Sequence, residues 1–547
     1  MTDMSKFAQA IMEQKYSHLN KEGEKETWDN IAYRVSKKVL QAVKAPQGQI
    51  DRTRKIIQER KFIPGGRYLA ATGRLFHQVN NCFLFRAEDS REGWSDLMYK
   101  ATLSLMTGGG IGCDYSEVRE RGRLIRKTGG EATGPIALMQ MVNESGRFIM
   151  QGGSRRSAIW AGLNWSHPDI QEFIRLKDWP EVITEQKLQN FNFPAPMDMT
   201  NISVLLDDEF FEAYHDEKHE QHTLAHSVYW TTIRHMLETG EPGFSIDTGK
   251  NSRETLRNAC TEVTSADDSD VCNLGSINMA QVNSLEDMEE AVELGIAFLL
   301  AGTVYSDIPF AGVDKVRNKN RRLGLGLMGL HEWLLRHGRK YGPDEELGKY
   351  LEIYAKADKY VKPYAKKWDL SAPIKTRAIA PNGTISIVAE TTSGIEPLFC
   401  AAYKRRYLKG SVWQYQCVID PTVRRLLDSG ISVDMIEDAY DLANDVERRL
   451  SFQAWVQQYV DHSISSTINL PRWGSEINNE STVRKFGNIL IRYLPKLRGL
   501  TCYPDGARAG QPLNPMPIAE ALAQEGHVFE ENGTTACDIS KGGVCGS

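Results

Sequence analysis

From about residue 76 to 515 the chain alternates short apolar runs with amphipathic stretches, and this alternation limits the possible folds more than any other feature. NCFLF (81–85), TNISVLL (200–206), TRAIA (376–380) and TISIVAE (384–390) read as buried strands. EDMEEAVELGIAFLLAGTVY (286–305) reads as a helix. Strands that take turns with helices need a sheet covered by helices, so the class is α/β with a substantial sheet. Residues 1–75 are charged and helical, with helical apolar spacing in KETWDNIAYRVSKKVLQAVK. After Pro517 one short helix, IAEALAQEG, precedes ENGTTACDISKGGVCGS, which reads as a flexible tail. The expected organisation is a helical region at 1–75, an α/β domain at 76–515 and a tail at 516–547.

The totals exclude several classes. A net charge of -5 on 547 residues gives no basis for binding nucleic acid or a membrane surface. The start, MTDMSKFAQAIMEQKY, lacks the basic-then-apolar pattern of a signal peptide. The longest apolar run, LGIAFLLAGTVY, falls short of the roughly 20 residues a bilayer demands. The expectation is a soluble, cytoplasmic protein. There its nine cysteines stay mostly reduced, serving as core fillers or as reactants. No CxxC occurs, and His77 with Cys82 has no second pair, so no metal site is expected.

Two features point to chemistry. RNACTEV places Asn258, Cys260 and Glu262 on alternate residues, and in extended backbone all three would leave one face. A core filler does not need an amide and an acid beside it, because burying them requires partners. The tail carries Cys537 and Cys545 where there is no core to fill, a placement suited to thiol–disulfide exchange. Glycine clusters at TGGGIGC, KTGGEATG, QGGSRRS and PNGTIS read as anion or close-approach loops. SHPDIQEF reads as a helix start at Ser166, which gives His167 a structural place. The GxGxxG pattern at Gly324, Gly326 and Gly329 lacks an apolar strand before it and reads as a close-packed turn.

Taken in order, NNCFLF, GGGIGCDYSEVRERG, TGGEATGPIALM, QGGSRRSAIWAGLNWSHPDI, Asn258-x-Cys260-x-Glu262 with VCNLGSIN, RRLGLGLMGL and PNGTISIVAETTSGIEPLF resemble the catalytic chain of ribonucleotide reductases. The likeness runs from about Phe62 to Pro515. It implies a ten-stranded α/β barrel with a central finger loop, preceded by the helical N-terminal region. It implies that Cys260 becomes a thiyl radical that takes the ribose 3′ hydrogen, that Glu262 is the base on the 3′ hydroxyl, and that Asn258 orients the substrate. Cys82 and Cys272 would reduce the 2′ position and end as a disulfide. Cys537 and Cys545 would recharge that pair from a thioredoxin- or glutaredoxin-type reductant, although their spacing is wider than the family's usual one. Asn382, Gly383, Thr384 and Ser386 match the substrate phosphate loop. Asp89, Arg119 and the 151–157 loop with Arg155 match a site for dNTP or ATP effectors.

The resemblance also implies a homodimer with no tightly bound metal in this chain. The radical then comes from a separate ferritin-like metal subunit, the first reading, or from adenosylcobalamin, the alternative. Members that use a partner subunit carry two adjacent tyrosines near the C-terminus. Here Tyr503, the possible radical relay, stands beside Cys502, and the GIEP and YPDGAR wording is closer to the adenosylcobalamin branch. Too few residues precede the catalytic region for the family's ATP cone. Two other classes remain at this stage: a nicotinamide-dependent dehydrogenase using Gly324–Gly326–Gly329, and a non-catalytic nucleotide-binding module.

Overall fold

The computed structural model describes residues 4–151, 155–190, 193–249, 252–409, 412–506, 513–524 and 528–530. Its strands are β1 (Phe62–Pro64), β2 (Cys82–Arg86), β3 (Gly110–Asp114), β4 (Ile159–Asn164), β5 (Thr200–Asp207), β6 (Gly243–Asp247), β7 (Asp270–Asn278), β8 (Leu323–Met328), β9 (Thr467–Leu470) and β10 (Gly499–Pro504). They form one sheet of ten. β2 to β6 run parallel in chain order. β7 pairs with β8 in parallel, as β9 does with β10. The two sets meet head to tail at both seams, β7 antiparallel to β2 and β10 antiparallel to β6.

Residues 376–379 close the ring. Arg377 bridges Leu325 on β8, and Ile379 bridges Ile464 just ahead of β9. TRAIA thus acts as a strand through bonds such as Ala378 N–H to Leu325 O at 3.1 Å. Counting this segment, the barrel consists of two sets of five parallel strands, and β1 lies alongside β7 as an additional strand. A closed barrel leaves no sheet edge exposed.

Helices cover the outside in two apolar layers. One layer backs β2 to β6 and takes in Ile111, Trp165, Val204, Ile233 and Phe244. The other backs β7 and β8 and includes the N-terminal helices α1 (Lys6–Lys15), α2 (Trp28–Gln41) and α3 (Gln47–Gln58). Two further helices, α4 (Arg91–Met106) and α5 (Pro135–Phe148), flank the first set of strands. The expected 286–305 helix is α6 (Leu285–Tyr305), capped by Ser284; its first turns expose acidic residues, and from Leu294 to Thr303 it is apolar all round because it is buried on every side.

Three local readings differ from the sequence expectation. TISIVAE is not a strand; it is α7 (Gly383–Ala389). Its Ile385, Val388 and Ala389 repeat at helical spacing and pack into the core, so packing overrides their strand preference. Gly324 and Gly326 lie inside β8, not in a turn, and only Gly329 turns the chain, at φ +77°. A Cβ on Gly324 would meet Leu274 Cδ2 at 2.3 Å, so the missing side chain serves strand packing rather than a dinucleotide. The helix after SHPD begins at Ile170 behind Asp169, and His167 Nε2 lies 2.8 Å from Val118 O.

Candidate active site

The finger is a short hairpin. Leu256–Arg257 pairs with Thr264–Ser265. Its tip enters a small apolar lumen formed by Leu84, Leu256, Val263, Leu274, Ala378 and Ala380 together with Cys82 and Cys272. Gly112 on β3 admits it, since a Cβ there would stand 1.9 Å from Arg257 O. TGGGIGC is therefore a close-approach segment. The tip is a turn, not extended backbone: Thr261 N–H donates to Asn258 O at 3.0 Å. Thr261 sits at φ 67°, a strained position for a β-branched residue that is found mainly at functional sites.

The turn still collects the expected side chains. Asn258 Nδ2 donates to Cys82 Sγ at 3.0 Å, and Asn258 Oδ1 accepts from Val263 N–H at 2.9 Å. Cys82 Sγ lies 3.8 Å from Glu262 Oε1, while Glu262 Oε2 is buried without a partner. Cys272 stands opposite Cys82 across the β7–β2 seam. Cys260 at the tip is partly exposed, and Cys82 and Cys272 are buried free thiols.

Electrostatics sets the protonation states. Burial first, then the charge of Glu262, pushes the thiols of Cys260, Cys82 and Cys272 upward. All three hold their hydrogen near neutrality, as donors of hydrogen atoms must. Burial raises Glu262 from 4.5 to about 7 against the bonds from Asn258 and Cys82. A carboxylate so tuned is a base matched to neutral pH.

A buried network missed by sequence reasoning fixes the root of the finger. Arg322 donates to Glu254 Oε1 at 2.9 Å and to Asp270 Oδ2 at 2.7 Å, joining the finger's approach to the start of β7. Lys375 also pairs with Glu254. Ser463 N–H donates to Glu262 O at 2.9 Å, and Thr264 N–H donates to His462 Nδ1 at 3.1 Å. These partners lie far apart in the chain, and nothing local in the sequence signals them.

Beyond Cys272 the lumen opens into a polar pocket lined by Gly65, Gly66, Asn81, Ser276, Asn382, Gly383 and Thr384. Asn382 Oδ1 accepts from Ser276 Oγ at 2.9 Å, and Ser386 Oγ turns back to Gly383 O at 3.1 Å. Asp89 and Arg119 are joined at 2.7 Å in a separate cavity of about 780 Å³ with apolar walls from Trp94, Met98, Val118, Ile125 and Met141. Arg155 is on a short strand paired with Met150–Gln151, but its side chain is outside the described residues, as are 152–154 and the tail with Cys537 and Cys545.

Tyr503 reaches the lumen side of β10, since Leu500 and Cys502 belong to the outer core and neighbours alternate. Cys502 therefore faces away from the site. Tyr503 borders a cavity of about 300 Å³ with Tyr440, Asn444, Asn469 and Asp505. Among the described residues, no three His, Cys, Asp or Glu side chains gather as a metal set. No described helix is long and apolar enough to cross a membrane.

The family model "Ribonucleotide reductase, barrel domain" matches residues 80–355 and 375–503. The chain belongs to the ribonucleotide reductase family. Its relatives include the vitamin B12-dependent ribonucleoside-diphosphate reductase of Mycobacterium tuberculosis, 26% identical over 86% of this chain and 74% of that protein. The Thermoplasma acidophilum protein of the same name is 26% identical over 88% and 68%. The ribonucleoside-diphosphate reductase subunit alpha of Chlamydia trachomatis is 25% identical over 59% and 36%. As a ribonucleotide reductase catalytic chain, this protein is an oxidoreductase of deoxyribonucleotide synthesis, and its mixed barrel is the fold the resemblance implied.

Proposed function

We propose that this reductase removes the 2′ hydroxyl of a ribonucleotide by thiyl chemistry at Cys260, with adenosylcobalamin as the radical source. The observation that carries the first part is the meeting of Cys82, Asn258 and Glu262 at the finger tip, with Cys272 in register behind them. Cys260 gives up its hydrogen atom and takes the 3′ hydrogen of the ribose. Glu262 then accepts the 3′ hydroxyl proton on its unpartnered oxygen. Cys82 and Cys272 supply two electrons and two protons as the 2′ oxygen leaves as water, and the pair becomes a disulfide. Cys260 finally returns the hydrogen to carbon 3′, and Glu262 returns its proton to the 3′ oxygen.

Backbone N–H groups of Gly66, Gly383 and Thr384 suit the substrate phosphates. The Asp89–Arg119 cavity, with apolar walls for a base, suits a nucleotide effector. Exposed Tyr99 and Met106 on α4 and Phe148 on α5 support pairing with a second copy of the chain. A thioredoxin- or glutaredoxin-type partner would restore the thiols through Cys537 and Cys545.

The radical source rests on two observations. The relatives named as vitamin B12-dependent cover most of this chain, and Tyr503 has no second tyrosine beside it. The Tyr503 cavity is of nucleoside size, and Asn444, Asn469 and Asp505 offer donors and acceptors that fit an adenosyl group. Adenosylcobalamin, when bound, supplies the one-electron oxidant. The first reading from sequence, a ferritin-like metal subunit, keeps the support of the Chlamydia likeness. Turnover of ribonucleotides with adenosylcobalamin and a dithiol, set against turnover with a ferritin-like metal protein instead, separates the two.

A further inference from the structure

We infer that helix α1, through Tyr16, positions the loop that receives the substrate phosphates. This rests on the reading of the Asn382–Thr384 loop as the phosphate site. Tyr16 caps the end of α1, and its hydroxyl is hydrogen-bonded to Thr384 Oγ1. The ring is only 1% exposed, and Arg34 donates to Tyr16 O at 3.3 Å, so the tyrosine is itself held in place. The other end of α7 is gripped as well. Glu390, left-handed at φ 57°, accepts from Ser5 N–H at 3.1 Å and from Arg60 Nη1 at 2.9 Å.

Ser5, Tyr16, Arg34 and Arg60 all precede residue 80, where the family's barrel match begins, and they add to the hold of Ser276 and Ser393 on Asn382 from within the barrel region. The loop is thus braced by a part of the chain outside the barrel. The bond to Tyr16 fixes the Thr384 side-chain rotamer and so places Oγ1 at a set position in the pocket that Thr384 lines. Tyr16 does not line that pocket, so it acts through Thr384 as a positioning residue.

The test uses the full chain under steady-state turnover. Tyr16→Phe keeps the ring and should raise KM for the ribonucleotide about 3- to 10-fold, the worth of one hydrogen bond, with kcat little changed. Thr384→Val should raise KM similarly, Thr384→Ser should restore it, and the double variant should be no worse than Thr384→Val alone. Glu390→Gln, which breaks the grip at the far end, should also raise KM and gives a second reading if Tyr16→Phe folds poorly. An unchanged KM in Tyr16→Phe and Glu390→Gln, a fall in kcat alone, or effects that multiply in the double variant would overturn the brace. Gly383→Val tests the underlying reading separately, since a Cβ there meets nothing within 4 Å and projects into open space. If it leaves KM unchanged, the phosphate reading fails; if it raises KM while Tyr16→Phe does not, only the brace fails.

Discussion

Cys82 and Cys272 stand directly opposite each other on antiparallel strands, at the seam where the two halves of the barrel meet. Residues so paired have Cα atoms about 4.5–5.5 Å apart, within the roughly 4.4–6.8 Å that disulfides span. The pair can therefore oxidise without moving the strands. We expect one turnover in the absence of reductant to convert both thiols to a disulfide, measured as loss of two titratable thiols and the mass of two hydrogens. Replacing either by serine should leave no such loss.

Glu262 should set the acid limb of the pH profile. Burial holds its carboxyl at about 7, so activity that needs the carboxylate rises with pH through that value. Stability runs the other way. The folded pKa lies above the ordinary 4.5, so the folded chain holds this proton more tightly, and the contribution is lost as pH rises through about 7. Glu262→Gln should remove the limb, and Asn258→Ala, which deletes a bond favouring the carboxylate, should move it to higher pH. A limb unaltered in Glu262→Gln would assign it to another group.

Gly112→Ala should displace the finger. Its Cβ would fall 1.9 Å from Arg257 O, a backbone atom that cannot rotate away. Overpacking of this kind costs about 1–3 kcal/mol, and any shift moves Cys260 from the substrate. We expect a lower melting temperature and a large loss of turnover. Gly342→Ala, where a Cβ meets nothing within 4 Å, is the control.

Arg119→Ala should flatten the differences between effectors. The Arg119–Asp89 pair is half-exposed in its cavity, ready to exchange a carboxylate for a phosphate. Allosteric coupling of about 1–3 kcal/mol shifts base preference roughly 5- to 150-fold. Reduction of the four ribonucleotides with each effector measures it. A preference that tracks effectors equally well in the variant would remove Arg119 from the site.

The α/β alternation was legible because β2, β5 and α6 carry clear apolar patterns. The chemistry was legible because Asn258, Cys260 and Glu262 form a compact motif. TISIVAE misled because Ile385, Val388 and Ala389 satisfy a helix while the β-branched Thr384, Ile385, Ile387 and Val388 suggest a strand. The finger tip misled because alternation assumes extended backbone, whereas Thr261 turns it. The Arg322 network and the Tyr16–Thr384 contact were invisible, the latter joining residues 368 apart in sequence. Contacts between residues far apart in the chain leave no local pattern.

The most direct test of the account is reduction of a ribonucleotide by the pre-reduced chain with adenosylcobalamin and no added reductant, comparing the native protein with Cys260→Ser. The account predicts about one to two deoxyribonucleotides per chain from the native protein, two electrons from the Cys82–Cys272 pair and two more if the Cys537–Cys545 pair recharges it, and none from Cys260→Ser. Comparable product from Cys260→Ser would contradict it.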